Sequence, residues 1–328
     1  MTSSNSVQEE PIDAEIACFV SAILGGSADQ PDLANRSFDE QRAAAAKIRT
    51  TWRQGGPAML RIRDLTASHG LQNVRVRLFE PDGAEKGRSA LVYLHGGGFT
   101  LFSLETHDRL MREYAARAGM VVVGVDYSLS PEARFPVALH EVLAVVEWLG
   151  ERAEELGLDP RRIAIGGDSA GANLSLATCL MLRDGGRGDR VAAMLFNYGF
   201  FDADFKTPSQ RQHGGAGKLL TSEELAAYLG NYLGERPWTD PLALPALAEL
   251  HDLPPSMHVI ATCDPLADGD REMARRIQEA GNEVTSREYV GATHSFLEAI
   301  SVSALADRAF NDSAEWLRDV LASQRAGG

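Results

Sequence analysis

From residue 74 onward, short apolar runs alternate with amphipathic stretches, and this rhythm constrains the fold more than any single motif. The runs "VRVRLFE", "SALVYL", "MVVVGVDY", "RIAIG", "VAAMLFNY", "MHVIAT" and "EVTSREYV" read as strands. "VRVRLFE" alternates, so it has one apolar face, whereas "SALVYL" and "MVVVGVDY" suit strands buried on both faces. Between them, "RLMREYAARAG", "FPVALHEVLAVVEWL", "ANLSLATCLMLR" and "REMARRIQEAG" read as helices, with a last one expected over residues 302 to 322. Strands separated by helices of about 10 to 15 residues imply an α/β fold, a mostly parallel sheet with helices on both faces.

Two regions depart from the rhythm. Near the start, Ile12, Ile16, Phe19, Val20 and Ile23 recur at helical spacing up to Gly25 and Gly26, after a polar, frayed opening over residues 1 to about 10. "SFDE" (Ser37 to Glu40) has the form of a capping box, in which serine and glutamate satisfy each other's free amides. The second region, about 199 to 250, has no buried strand but a glycine-rich loop ("QHGGAGK"), a helix opened by the capping box "TSEE" (Thr221 to Glu224) and a proline-rich passage. An insertion of about 50 residues in a regular fold serves as a lid or substrate wall. The expected organisation is a helical cap segment over residues 1 to 55 and an α/β domain over 56 to 328, interrupted by that insertion.

Composition excludes several classes of partner. Acidic residues outnumber basic ones 46 to 32, giving a net charge of -14, so the phosphate backbone of a nucleic acid would be repelled. No apolar run approaches the roughly 18 residues of a membrane span. "IACFVSAIL" follows the acidic "QEEPIDAE", unlike the positive region that opens a secretory signal. No integral membrane association is therefore expected. Cys18, Cys179 and Cys263 are odd in number and form no CxxC pair, which points to a reducing, cytoplasmic compartment without disulfides or a zinc cluster. A homo-oligomer is left open.

Gly167, Ser169 and Gly171 form G-x-S-x-G between an expected strand and an expected helix. There a serine is held in a sharp turn above the sheet and large neighbours would collide. A serine hydroxyl needs a histidine to take its proton and a carboxylate to orient that histidine. In hydrolases built on this turn the order is serine, acid, histidine, which removes His69, His95, His107 and His140. His213 and His251 fall in the insertion and His258 opens a strand, leaving His294 in "GATHSFLE" after the last strand. For the acid, Asp264 in "IATCDPLADGD" stands nearer the strand end than Asp268, which reads as a helix N-terminal residue.

The set "HGGGF", "THDRLMREYA", "VDYSLSPEARFPVAL", "GDSAGA", "CDPLAD" and "THSF" resembles the bacterial hormone-sensitive-lipase family of α/β-hydrolases, and within it the acetyl esterases. The likeness runs from about residue 89 to the C-terminus. It implies the α/β-hydrolase fold with Ser169 as nucleophile, His294 as general acid/base and Asp264 as its orienting acid. The oxyanion hole maps to the amides of Gly97, Gly98 and Ala170. The implied substrate is a small-molecule ester with a short, acetyl-type acyl group, and neither cofactor nor metal is implied. His95 is then expected to hold the glycine loop, and Pro131, Glu132 and Pro136 to brace a turn beneath it.

The chain departs from the family at Phe102, where a small residue is common, at Ser128, where arginine is common, and in reading H-S-F rather than H-G-F at His294. Phe102, with Phe99, Tyr198 and Phe201, is expected to narrow the pocket. Amide or lactone hydrolysis on the same residues is the alternative chemistry. A non-catalytic ligand-binding protein on this scaffold is disfavoured by the histidine at position 294. Because the base must be neutral and histidine's ordinary pKa is about 6.5, the rate is expected to rise through the neutral range to an alkaline plateau.

Overall fold

A computed structural model describes residues 10–29, 35–83 and 87–323, so the frayed opening expected before residue 10 lies outside the described residues. Three helices come first: α1 (Ala14–Ala28), α2 (Phe38–Ile48) and the short α3 (Thr50–Arg53). Asp13 caps α1 by accepting from the amides of Glu15 and Ile16. Ser37 and Glu40 form the expected capping box on α2.

The main body follows as β1 (Arg61–His69), β2 (Gln72–Glu80), β3 (Arg88–Leu94), α4 (Asp108–Ala118), β4 (Val121–Val125), α5 (Val137–Arg152), β5 (Leu158–Asp168), α6 (Ala170–Asp184) and β6 (Ala193–Asn197). The insertion carries α7 (Pro208–His213) and α8 (Ser222–Leu233), the latter opened by the Thr221–Glu224 capping box. Then come β7 (Ser256–Ala261), α9 (Ala267–Glu279), β8 (Val284–Tyr289) and α10 (Ala304–Ser323).

The eight strands form one sheet in the order β1-β2-β4-β3-β5-β6-β7-β8. β1 with β2 and β2 with β4 are antiparallel, and the other pairs are parallel. Successive residues of a strand point to opposite faces, which explains the continuous apolar runs. Val92, Val123 and Ile165 pack with α5 and α6 on one face, while Leu91, Val122 and Ala164 meet α4, α10 and α1 on the other. Burying each such valine, leucine or isoleucine contributes about 1.5–3 kcal/mol.

Two elements go beyond the sequence reading. β1 is an edge strand in which Ala67 alone is buried, so its polar sequence lacks an apolar run. It is tied to the sheet by Arg61 and Arg63, which reach the buried Glu80 at 2.9 and 2.7 Å. α7 has six residues, capped by Thr207 and started by Pro208, too short for a periodic signature. Functional groups collect at the C-terminal ends of β3, β5 and β7 and in the loop after β8, as expected of open parallel sheets.

Candidate active site

β5 ends at Asp168 and α6 begins at Ala170, so Ser169 alone makes the turn. Its backbone lies at φ 54° and ψ -115°, a conformation that costs a non-glycine residue about 1–3 kcal/mol. The surroundings hold it there. The Ser169 amide donates to the Asn197 carbonyl at 2.9 Å, and its own carbonyl accepts from Phe200 at 3.2 Å. A Cβ on either Gly167 or Gly171 would overlap the Leu94 carbonyl, so these glycines let β3 close against the turn.

Asp264 is fully buried just past β7. One carboxylate oxygen accepts from the Leu266 amide at 2.9 Å; the other lies 2.7 Å from His294 Nδ1. With a carboxylate as acceptor, Nδ1 carries the hydrogen and Nε2 keeps its lone pair. The Tyr198 ring stands edge-on to the His294 ring at 5.0 Å and fixes its tilt. Asp268 is engaged elsewhere, accepting from the Ser209 amide at 2.8 Å and pairing with Arg271 at 3.0 Å.

Each glycine of "HGGG" answers to a different neighbour. A Cβ on Gly96 would overlap the Asp168 carboxylate, one on Gly97 the Leu101 carbonyl, and one on Gly98 the Tyr228 ring. Gly97 and Gly98 also have φ of 106° and 58°. The amides of Gly97, Gly98 and Ala170 donate to no group among the described residues, so three backbone donors stand uncommitted around Ser169. His95 is buried, with Nδ1 2.8 Å from the Gly96 carbonyl and its ring stacked on Tyr127 at 4.4 Å. Burial, with the nearby His107, pushes its pKa down to about 4, so it is neutral. Arg42 of α2 donates to the carbonyls of Thr100 and Ser130 at 2.9 Å each and pairs with Glu132 at 2.6 Å. This arginine joins the N-terminal helices to the "SPEARFP" turn.

Sequence reasoning passed over Asp168, the variable position inside G-x-S-x-G. Its buried carboxylate accepts from the Tyr93 hydroxyl at 2.9 Å and lies 3.3 Å from His107 Nε2. Burial alone would raise the pKa of Asp168 and lower that of His107. The attraction between them wins, holding Asp168 below and His107 above their ordinary values. No spacing in the chain signals this pair, although an acid in so apolar a run demands a partner.

A small cavity of about 60 Å³ brings these groups together, bordered by Ser169, His294, Gly97, Gly98, Phe102 and Arg49, with Leu219, Leu220, Glu224, Leu225 and Tyr228 from the insertion. Larger hollows at Asp202–Lys206 with Trp238 and at Glu154–Arg161 contain none of these groups, whereas one of about 280 Å³, lined by Ile12, Val20, Cys263 and Pro265, shares Leu219, Leu220 and His294 with the cavity. Of the four aromatic residues expected at the pocket, Phe102 lines it, at φ 72° and with the Arg49 guanidinium 4.1 Å above its ring. Tyr198 backs His294. Phe99 stacks on Tyr232 at 3.8 Å and Phe201 packs edge-on to Phe196 at 5.3 Å, so both rings belong to the core rather than the cavity lining. Their side chains are drawn away by apolar neighbours that the sheet and α8 supply. Among the described residues no group of three or more His, Cys, Asp or Glu could hold a metal ion. Nor is any helix there long and apolar enough to cross a membrane.

Comparison with known proteins gives this geometry a family. A family model described as alpha/beta hydrolase fold matches residues 91–298. An acetyl esterase of Salmonella typhi is 36% identical over 297 residues, covering 88% of this chain and 90% of that protein. Among solved structures, EstE1, a thermostable carboxylesterase cloned from a metagenomic library, superposes with a TM-score of 0.83 at 31% identity, covering 88% of this chain and 99% of that one. The esterase of the archaeon Pyrobaculum calidifontis gives 0.87 at 28%, covering 94% and 98%. The chain belongs to the hormone-sensitive-lipase-like family of α/β-hydrolases.

Proposed function

We propose that the protein is a serine carboxylesterase that removes short, acetyl-type acyl groups from small-molecule esters. Ser169 is the nucleophile, His294 the general acid/base and Asp264 its orienting acid, and the amides of Gly97, Gly98 and Ala170 bind the oxyanion. The observation that carries this reading is the convergence at one cavity of a strained serine, an aspartate-backed histidine and uncommitted amide donors.

His294 Nε2 takes the Ser169 proton as the oxygen attacks the ester carbonyl. The negative charge that develops is met by backbone donors already in place, each worth roughly 3 kcal/mol at the transition state. The protonated alcohol leaves, and water attacks the acyl-enzyme by the same route. Asp264 keeps the imidazole in the reactive tautomer and stabilises it when it becomes positive.

A cavity of about 60 Å³, walled by Phe102, Leu225 and Tyr228, suits an acetyl group better than a long chain, and the Salmonella relative is an acetyl esterase. In this reading α1–α3 and the segment 199–250 act as the cap, and three widely spaced cysteines with no CxxC pair favour a reducing cytoplasm. A chain-length series of nitrophenyl esters tests the proposal. Turnover should be highest for acetate, fall steeply beyond butyrate and vanish in Ser169→Ala; hydrolysis that survives that substitution removes the assigned nucleophile. Phe102→Gly should shift the preference toward longer acyl groups.

A further inference from the structure

Arg49 is 9% exposed and stands at the C-terminal end of α2, outside the α/β core. Its Nε lies 2.9 Å from a carboxylate oxygen of Glu298, itself buried in the loop that follows His294. Its guanidinium plane rests on the Phe102 ring. These two contacts fix the group in place, yet use only one of its three nitrogens. The two terminal nitrogens make no hydrogen bond among the described residues, and the residue borders the same cavity as Ser169 and His294.

A guanidinium held only to neutralise Glu298 would gain by offering that carboxylate two nitrogens rather than one. Here the fork is turned so that its outer edge is left over. Each other acid near the cavity has its own partner: Asp264 has His294, Asp168 has His107, and Glu224 caps α8 from the rim. An anionic oxygen entering the cavity would therefore meet one positively charged, pre-oriented edge.

Building on the esterase reading, we propose that Arg49 is a specificity residue that recognises a carboxylate on the substrate, so that the preferred esters are monoesters carrying a free acid near the scissile bond. A planar carboxylate matches the two-pronged edge, and because Arg49 borders the same cavity as Ser169, a carboxylate held there lies a few bonds from the ester carbonyl.

The acid can belong to either half of the ester, and paired substrates distinguish the two. For the alcohol half, 4-acetoxybenzoate is compared with its methyl ester; for the acyl half, monoethyl succinate with ethyl methyl succinate. The readout is the ratio of kcat/KM for the acid to kcat/KM for its neutral partner, at about pH 7.5, where these acids are ionised. In at least one pair the ratio should fall about ten- to hundredfold in Arg49→Met, the loss expected for one charge-assisted hydrogen bond. Arg49→Lys should recover part of it. Arg49→Met leaves Glu298 buried without its partner, so the double variant Arg49→Met, Glu298→Gln is measured as well and should show the same low ratio. Ratios that stay within threefold of wild type in both pairs and both variants overturn the proposal. Failure of the esterase reading would look different: neutral esters would then be hydrolysed by Ser169→Ala.

Discussion

Two histidine–aspartate pairs of nearly the same geometry lie close together in this fold, and only one borders the cavity. His294 Nδ1 stands 2.7 Å from Asp264, and His258 Nδ1 stands 2.6 Å from Asp270. Both acids follow β7, and both are fully buried. The difference lies beyond the second ring nitrogen. His294 borders the same cavity as Ser169, whereas His258 Nε2 is sealed among the rings of Phe196 and Phe201 with no partner among the described residues. Asp270 spends its other oxygen on the Gly199 amide at 3.1 Å, where the insertion leaves the sheet. A histidine–aspartate hydrogen bond is therefore not in itself a mark of catalysis; in the proposed mechanism, access to Ser169 separates the two pairs.

Substitutions at the two acids should separate the pairs cleanly. Asp264→Asn permits the wrong tautomer of His294 and should lower kcat about 10⁴-fold, measured on nitrophenyl acetate, with the protein still folded by circular dichroism. Asp270→Ala should do the reverse. It orphans two buried donors, His258 Nδ1 and the Gly199 amide, so urea unfolding should report a loss of about 2–5 kcal/mol, while kcat of the folded fraction changes less than about tenfold. If Asp270→Ala abolished turnover without loss of stability, the contrast between the pairs would collapse.

The pair of His107 and Asp168 sharpens the contrast through pH. His107 is raised, so its share of stability is complete below its ordinary value of about 6.5 and is lost as pH climbs through the folded value. Asp168 is lowered, so its share is complete above about 3.9 and is lost as pH falls through its folded value. Wild-type urea midpoints should therefore decline as pH climbs above about 6.5 and through the folded value of His107, and Asp168→Asn should flatten that decline; parallel curves would refute the linkage. The smallest effect belongs to Tyr198, whose ring backs His294 while its buried hydroxyl lacks a partner among the described residues. Tyr198→Phe should leave kcat within about twofold and stability unchanged or higher by up to about 1 kcal/mol.

Much of this was legible in the chain. Strands buried on both faces, such as β3 and β4, write themselves as unbroken apolar runs, whereas the edge strand β1 buries only Ala67 and has no such run. Ser169, Asp264 and His294, which the structure brings together, could be named as candidates because strand ends and chain order are local or topological facts. The His107–Asp168 and Arg49–Glu298 pairs join residues 61 and 249 positions apart, and no periodicity carries that information. The four pocket aromatics failed to behave as a group for the same reason: which ring turns toward the cavity depends on competing neighbours such as Tyr232 and Phe196.

The overlap that any side chain at position 96 would have with the Asp168 carboxylate reaches beyond this one enzyme. It ties position 96 to position 168, just before Ser169: residue 96 must stay bare while an aspartate side chain stands at 168. Chimeras that bring a side chain to position 96 should fold only when residue 168 changes with it.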